Sequence, residues 1–322
     1  MTRISRLIFG LLALLVAGSS AAQTTYPDKP IRMVVGFPPG GAPDTVARLI
    51  GQKLSEALGQ PIVMDNATGA GGNIATERVA KAAADGYTLG FMVNGQLVIN
   101  PSLYKPTYDP VKDFAPISQL TVTPNMLVVN NAVPAKNVQE LIRMAKARPG
   151  ELTYASGGTG TGNHMAAELF KSVAGLDITH IPYKGVLAAV PDLLGGRVTM
   201  MFSPLPVVLP LVNDGKLRGL AVTSLRRASS APELPTIAES GYPGFEVTIW
   251  YGLLAPGGTP SAIIRKLHLE IVKALAAPEL RAKLVDLGLD PIGNSPEEFA
   301  AIIRSEIPTW AKVIKDAGIK PD

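Results

Sequence analysis

The chain has 322 residues, roughly twice the size of a typical domain, so two domains are expected. Apolar residues make up 47% and charged residues 17%, which excludes a largely disordered chain. Lys and Arg number 30 against 26 Asp and Glu; without Arg3 and Arg6, in a segment expected to be removed, the charge is about +2, too weak and dispersed for nucleic acid.

Arg3 and Arg6 precede an unbroken apolar run of 12 residues, Leu7–Gly18. That run is too short to span a hydrocarbon core. Small residues Ser20, Ala21 and Ala22 follow, before Gln23. This is the three-part layout of a signal peptide, residues 1–22, cleaved on export. The expected location is outside the cytoplasm. The chain has no cysteine, so there is no disulfide, thiolate metal site, Cys nucleophile or lipid anchor on an N-terminal Cys. His164, His180 and His268 are the only histidines, and no two sit at ligand spacing, so no metal site is expected.

Ile31–Val35 reads as a buried strand, and Gly36-Phe37-Pro38-Pro39-Gly40-Gly41 must be a loop. Val46, Leu49, Ile50, Leu54 and Leu58 repeat at helical spacing up to Gly59. Ile62–Met64 is a strand, 73–84 a helix and Tyr87–Val93 a strand. This β-α-β-α-β order predicts an α/β fold with a doubly wound parallel sheet.

The layout then repeats. Asn125–Asn130 is a strand, and Asn137 with Glu140 opens a helix. Leu152–Ala155 is a strand, followed by a loop from Ser156 to Gly162 and a helix carrying Met165, Leu169, Phe170 and Val173. Ile178–Ile181, Val198–Phe202 and Arg218–Thr223 are further strands, 229–244 is irregular, and 246–254 is the last strand. Pro204, Pro206 and Pro210 exclude a membrane helix over 198–212. Thr259-Pro260 opens one helix, and Ser295-Pro296 with Glu298 opens the last, kinked at Pro308.

Each half carries one Gly-rich loop straight after a strand. Glycines let backbone N–H groups approach a ligand, and a helix N-terminus favours an anion. In loop one, Asp44 is either a helix cap or part of the site, and Phe37 walls the cleft. Neither loop ends in the Gly-Lys-Ser/Thr of a P-loop. Asn163 stands where a dinucleotide fingerprint needs its third glycine, and Tyr154 where a nucleophile elbow needs Gly. Ser156 with His164 leaves an exported hydrolase as the alternative; a ligand-presenting sensor component is another.

Several segments resemble the Bug (TctC) family of periplasmic solute-binding proteins, receptors of tripartite tricarboxylate transporters. They include Tyr26-Pro-Asp-Lys-Pro-Ile31, Gly36-Phe-Pro-Pro-Gly-Gly41 with Asp44, and Gly69-Ala-Gly-Gly-Asn-Ile74. Ala84-Asp-Gly-Tyr-Thr-Leu89, Tyr154-Ala-Ser156 with Gly158, Gly160 and His164, and His180-Ile-Pro-Tyr-Lys-Gly185 follow in order. Ala255-Pro-Gly-Gly-Thr-Pro260 is the last. The resemblance implies a two-lobed periplasmic-binding-protein fold of Venus flytrap, type II-like form. Each lobe is then a doubly wound sheet with flanking helices. Lobe one would comprise 23–123 and 249–322, and lobe two 124–248.

The resemblance also implies no enzymatic activity and no cofactor. It implies a small organic acid as ligand, membrane transporter subunits as partners, and a monomer. The carboxylate clamp falls on Phe37, Gly40, Gly41, Ala42 and Asp44, and on Ser156, Gly158, Thr159, Gly160, Thr161 and His164. Asn94, Ser203 and Trp250 would line the cleft, with hinge core as the other reading of Trp250. Pro43 departs from the Ser or Thr that many relatives carry before the aspartate. It has neither N–H nor hydroxyl, which shifts weight onto the amides of Gly41, Ala42 and Asp44.

Overall fold

The structure is a computed structural model that describes residues 26–320. The signal-peptide segment lies outside the described residues. The first half opens with β1 (Ile31–Val35), α1 (Ala42–Leu58), β2 (Ile62–Asn66), α2 (Asn73–Ala80) and β3 (Thr88–Val93). A π-helical turn (Gly95–Ile99) and α3 (Asn100–Tyr104) follow. β1 pairs in parallel with β2 and β3, as the strand–helix alternation predicts. β3 is buried along its whole length, as a central strand covered on both faces should be.

α1 buries Val46, Ala47, Ile50, Gly51 and Leu54 against this sheet. A Cβ on Gly51 would lie 2.3 Å from the Met64 side chain, so helix and strand meet where only glycine fits. Gly59 ends the helix in left-handed geometry, φ 68°, donating its N–H to Ser55 O.

The largest departure from the sequence reading is β4 (Phe114–Asn130), a strand of 17 residues. Only its last six residues read as a strand in sequence. Pro116 and Pro124 and the run of Ser, Gln and Thr hide the rest. Phe114–Pro124 pairs antiparallel with β9 (Thr248–Pro256), which also pairs with β3. Asn125–Asn130 pairs with β7 (Met200–Pro204) and β8 (Leu217–Val222). One strand therefore runs through both halves of the sheet.

The second half contains α4 (Val138–Ala147), β5 (Thr153–Ser156), α5 (Gly162–Ala174) and β6 (Thr179–Pro182). β5 runs parallel to β6 and β7. Two short helices escape the sequence reading, α6 (Val186–Leu194) and α7 (Leu205–Asn213). Pro191 and Pro210 lie inside them, where proline normally argues against a helix. The order β2-β1-β3-β9-β4-β7-β5-β6 is mixed, because β4 and β9 run against their neighbours.

The chain closes with α8 (Ser261–Ala276), α9 (Pro278–Asp286), β10 (Asp290–Pro291) and α10 (Pro296–Asp316). α10 has the predicted capping box between Ser295 and Glu298 and continues as one helix through Pro308. It packs on β4 and on the π-helical turn. None of the helices among the described residues is long and apolar enough to cross a membrane.

Candidate functional site: a cleft between strand-end loops

The β1–α1 and β5–α5 loops open at the carboxyl ends of parallel strands. A cavity of about 380 Å³ lies between them. Phe37, Pro38, Gly41, Ala42 and Pro43 line it from loop one. Gly160, Thr161, Gly162 and Asn163 line it from loop two. A third wall is the β6–α6 connection, from Lys184 to Ala188. The floor includes Val93, Gln96, Ile249 and Tyr251.

Neither α1 nor α5 has a side-chain cap. First-turn amides have no intrahelical acceptor, so Ala42 and Asp44 in α1 and Gly162 and Asn163 in α5 carry orphan N–H groups. Pro43 occupies the first turn of α1, where its missing N–H costs no helical bond. Both helix ends place partial positive charge at the cleft. Among the described residues Lys184 is the one charged side chain lining it, and it is exposed.

Asp44 organises loop one from behind. It is 2% exposed. Its Oδ2 accepts from Gly40 N and Arg48 Nε, both at 2.9 Å, and its Oδ1 accepts from Asn66 Nδ2 at 2.9 Å. Burial pushes its pKa up, but the bonds from Arg48, Gly40 and Asn66 outweigh that and hold it below the ordinary carboxylate value. The same Asn66 amide donates to Phe37 O at 2.9 Å. Gly40 takes φ 81°, a conformation open to glycine, and lines a smaller adjoining cavity of about 220 Å³.

Loop two is scaffolded by a stack of Tyr154, His164 and His180, with the two imidazole centroids 4.4 Å apart. His164 Nδ1 accepts from Gly160 N at 3.3 Å. Ser156 is fully buried; its Oγ lies 2.7 Å from His180 Nε2 and accepts from Gly158 N at 3.1 Å. Thr161 Oγ1 donates to Gly158 O at 2.6 Å, and Tyr104 Oη donates to Thr159 O at 3.0 Å. The Ser156–His164 pair of the hydrolase alternative is therefore replaced by Ser156–His180. The cause is the β5–β6 register, which sets Tyr154 opposite His180.

The cleft thus brings together Phe37, Gly41, Ala42, Gly160 and Thr161 of the sequence-predicted residues. Ser156, Gly158, Thr159 and His164 shape loop two behind its surface. Asn94 is buried, accepting from Gly95 N and donating to Thr248 O, each at 3.0 Å, which ties the π-helical turn to β9. Ser203 is buried and donates to Pro204 O at 3.3 Å. Trp250 sits in the core, edge-on to Phe299 at 5.1 Å, and its indole donates to Glu306 Oε2 at 3.0 Å. Neither Ser203 nor Trp250 lines the cavity.

Burial pushes Glu306 above its ordinary value of 4.5; bonds from Trp250 and Trp310 only partly oppose this, and Glu246 adds repulsion. A carboxyl with a raised folded pKa contributes full stability below its unfolded value. That contribution falls as pH rises through the folded one. Glu306→Gln keeps an acceptor for Trp250, so the urea midpoint should decline less between pH 4.5 and 8 than in the parent. Parallel profiles would remove Glu306 as a source of that slope.

Sequence reasoning did not assign Asn163, Lys184 or Tyr251 to the site. The signal for Lys184 was a glycine after a strand, Lys184-Gly185, but Pro191 masked the helix that follows. Tyr251 lies mid-strand, where alternation alone suggests core.

The family model described as the tripartite tricarboxylate transporter family receptor matches residues 46–319. Protein BugT of Bordetella pertussis is 38% identical over 325 residues, covering 99% of each chain. A structure described as R. palustris Rpa4515 with adipate superimposes with a TM-score of 0.87 at 40% identity, covering 92% of this chain and all of that one. MatC from Rhodopseudomonas palustris with bound malate gives 0.82 at 34% identity, over 90% of this chain and all of that one. The open helix ends around one cleft and the match along nearly the whole chain agree: this chain belongs to the tripartite tricarboxylate transporter receptors, the Bug (TctC) family of periplasmic solute-binding proteins.

Proposed function

We propose that this protein captures a small carboxylate in the cleft between the β1–α1 and β5–α5 loops and presents it to a tripartite tricarboxylate-type transporter. The observation that carries this reading is the convergence of two uncapped helix N-termini on one cavity of about 380 Å³. Orphan amides there receive an anion without a salt bridge. The similar structures of Rpa4515 with adipate and of MatC with bound malate support the same ligand class.

Residues 23–123 with 249–322 form one lobe and 124–248 the other. The change of β4 pairing partner, from β9 to β7 and β8 after Pro124, supports that division. Rotation about these crossing strands closes the cleft, and the transporter reads the closed form. The protein acts as an exported monomer in the periplasm, after removal of residues 1–22. It binds without turnover; the complete burial of Ser156 supports this.

The test is a thermal-shift panel of mono-, di- and tricarboxylates on protein refolded to strip bound ligand. At 100 times its dissociation constant a ligand adds about 2.7 kcal/mol. The midpoint should then rise by roughly 5–10 °C. A flat response to every acid would sink the carboxylate reading.

A further inference from the structure

Two buried polar side chains of the cleft, Asn163 and Tyr251, stand beside the backbone amides of the two loops. Asn163, in the first turn of α5, is 1% exposed. Its Oδ1 accepts from His164 N at 3.1 Å, and the single Thr161 hydroxyl proton is shared between this oxygen and Gly158 O. The backbone donor fixes which amide atom is the oxygen. Asn163 Nδ2 is left with no hydrogen-bond partner among the described residues. Tyr251, on β9 in the floor, is 2% exposed. Burial raises its pKa. Both residues line the cavity.

A buried donor such as Asn163 Nδ2 is rarely left unsatisfied, and leaving it empty costs free energy. A ligand oxygen satisfies it, and Tyr251 lines the same cavity. The remaining walls have the opposite character. Val93, Val186, Leu187, Pro204, Val207 and Ile249 line the cavity with hydrocarbon; among the described residues no Asp, Glu or Arg lines it, and the other polar side chains there are Gln96, Thr161 and the exposed Lys184. A hydroxyl or ammonium group laid on those walls loses its water and gains no partner. A hydrocarbon body loses nothing there and removes apolar surface from water.

We infer that Asn163 and Tyr251 donate to the ligand's carboxylate and that the ligand is an acid with a hydrocarbon body, not a hydroxy- or amino-substituted acid. This rests on the carboxylate reading above and narrows it. The carboxylate sits at the polar end formed by α5, Asn163 and Tyr251. The body extends toward α6 and α7.

The experiment is calorimetric titration of stripped protein with hexanoate, adipate and benzoate, against malate, citrate and aspartate. The best of the first three should bind at least about tenfold tighter than the best of the second three. Equal or tighter binding of malate, citrate or aspartate overturns the inference while leaving the carboxylate reading intact. Binding of none of the six acids overturns both. Tyr251→Phe removes one hydroxyl and should weaken the best acid about tenfold, the loss of one hydrogen bond to a charged group. Asn163→Asp keeps the oxygen that accepts from His164 N but replaces the donor with a negative charge, and should weaken it more than about a hundredfold. Unchanged affinity in a variant that keeps the parent's circular dichroism overturns the assignment of that residue.

Discussion

Gly160→Val should lower ligand affinity by about a hundredfold or more while the protein stays folded. Gly160 has φ 78°, in the left-handed region. A β-branched residue held there stores about 1–3 kcal/mol of strain. Its Cβ would also stand 2.9 Å from Leu103 Cδ1, 3.0 Å from Asn100 Oδ1 and 3.3 Å from the Tyr104 ring. All three belong to α3, which follows β3 in the other half of the sheet. Asn100 cannot swing aside, because its amide is held by Gly71 O at 3.2 Å and Asn73 Oδ1 at 2.8 Å. Loop two must therefore retreat from α3. Its N–H groups then leave the position that meets the ligand. About 3 kcal/mol corresponds to roughly 150-fold in affinity. Calorimetry against the best acid measures the loss, and circular dichroism checks the fold. Parent-like affinity would mean that loop two does not hold the ligand.

The largest loss of stability is expected from Phe299→Ala, about 3–5 kcal/mol. Phe299 is fully buried on α10. Its ring lies over Gly252, where a Cβ would come within 2.2 Å of it, and stands edge-on to Trp250. The glycine leaves a socket on β9, and the phenyl ring fills it, docking α10 onto the long strands. Truncation leaves a cavity that a rigid sheet cannot collapse. The thermal midpoint should fall by roughly 6–20 °C. Affinity should change little, because Phe299 does not line the cleft. A loss below about 1 kcal/mol would show that α10 is docked by other residues. Gly252→Ala attacks the same contact from the other side and should destabilise by about 1–3 kcal/mol through overpacking.

The local elements were legible because their causes are local. The β-branched run Ile31–Val35, the helical spacing from Val46 to Leu58 and the stop at Gly59 each act within a few residues. The Ser295–Glu298 capping box is equally local. The two Gly-rich loops were visible for the same reason, since glycine after a strand permits the positive φ found at Gly40, Gly158 and Gly160. Elements whose stability comes from elsewhere were not legible. The first two-thirds of β4 owes its strand form to pairing with β9, which lies far along the chain. Its prolines and polar residues give no such signal alone. α6 and α7 persist despite internal prolines because they bury Leu193, Val208 and Leu209 in the second half's core.

The amino-acid sequence by itself determined the alternation of strands and helices, the two loops with helix ends behind them, and the family to which the chain belongs. Only the tertiary structure decided what each side chain does there. Asp44 turns inward because Arg48, Asn66 and Gly40 surround its carboxylate. Ser156 meets His180 because strand register, not sequence spacing, sets that distance. Asn163 and Tyr251 share a cavity because α5 and β9 converge on it from distant parts of the chain. Backbone preference is a property of neighbouring residues, whereas a binding site depends on which distant segments the sheet brings together.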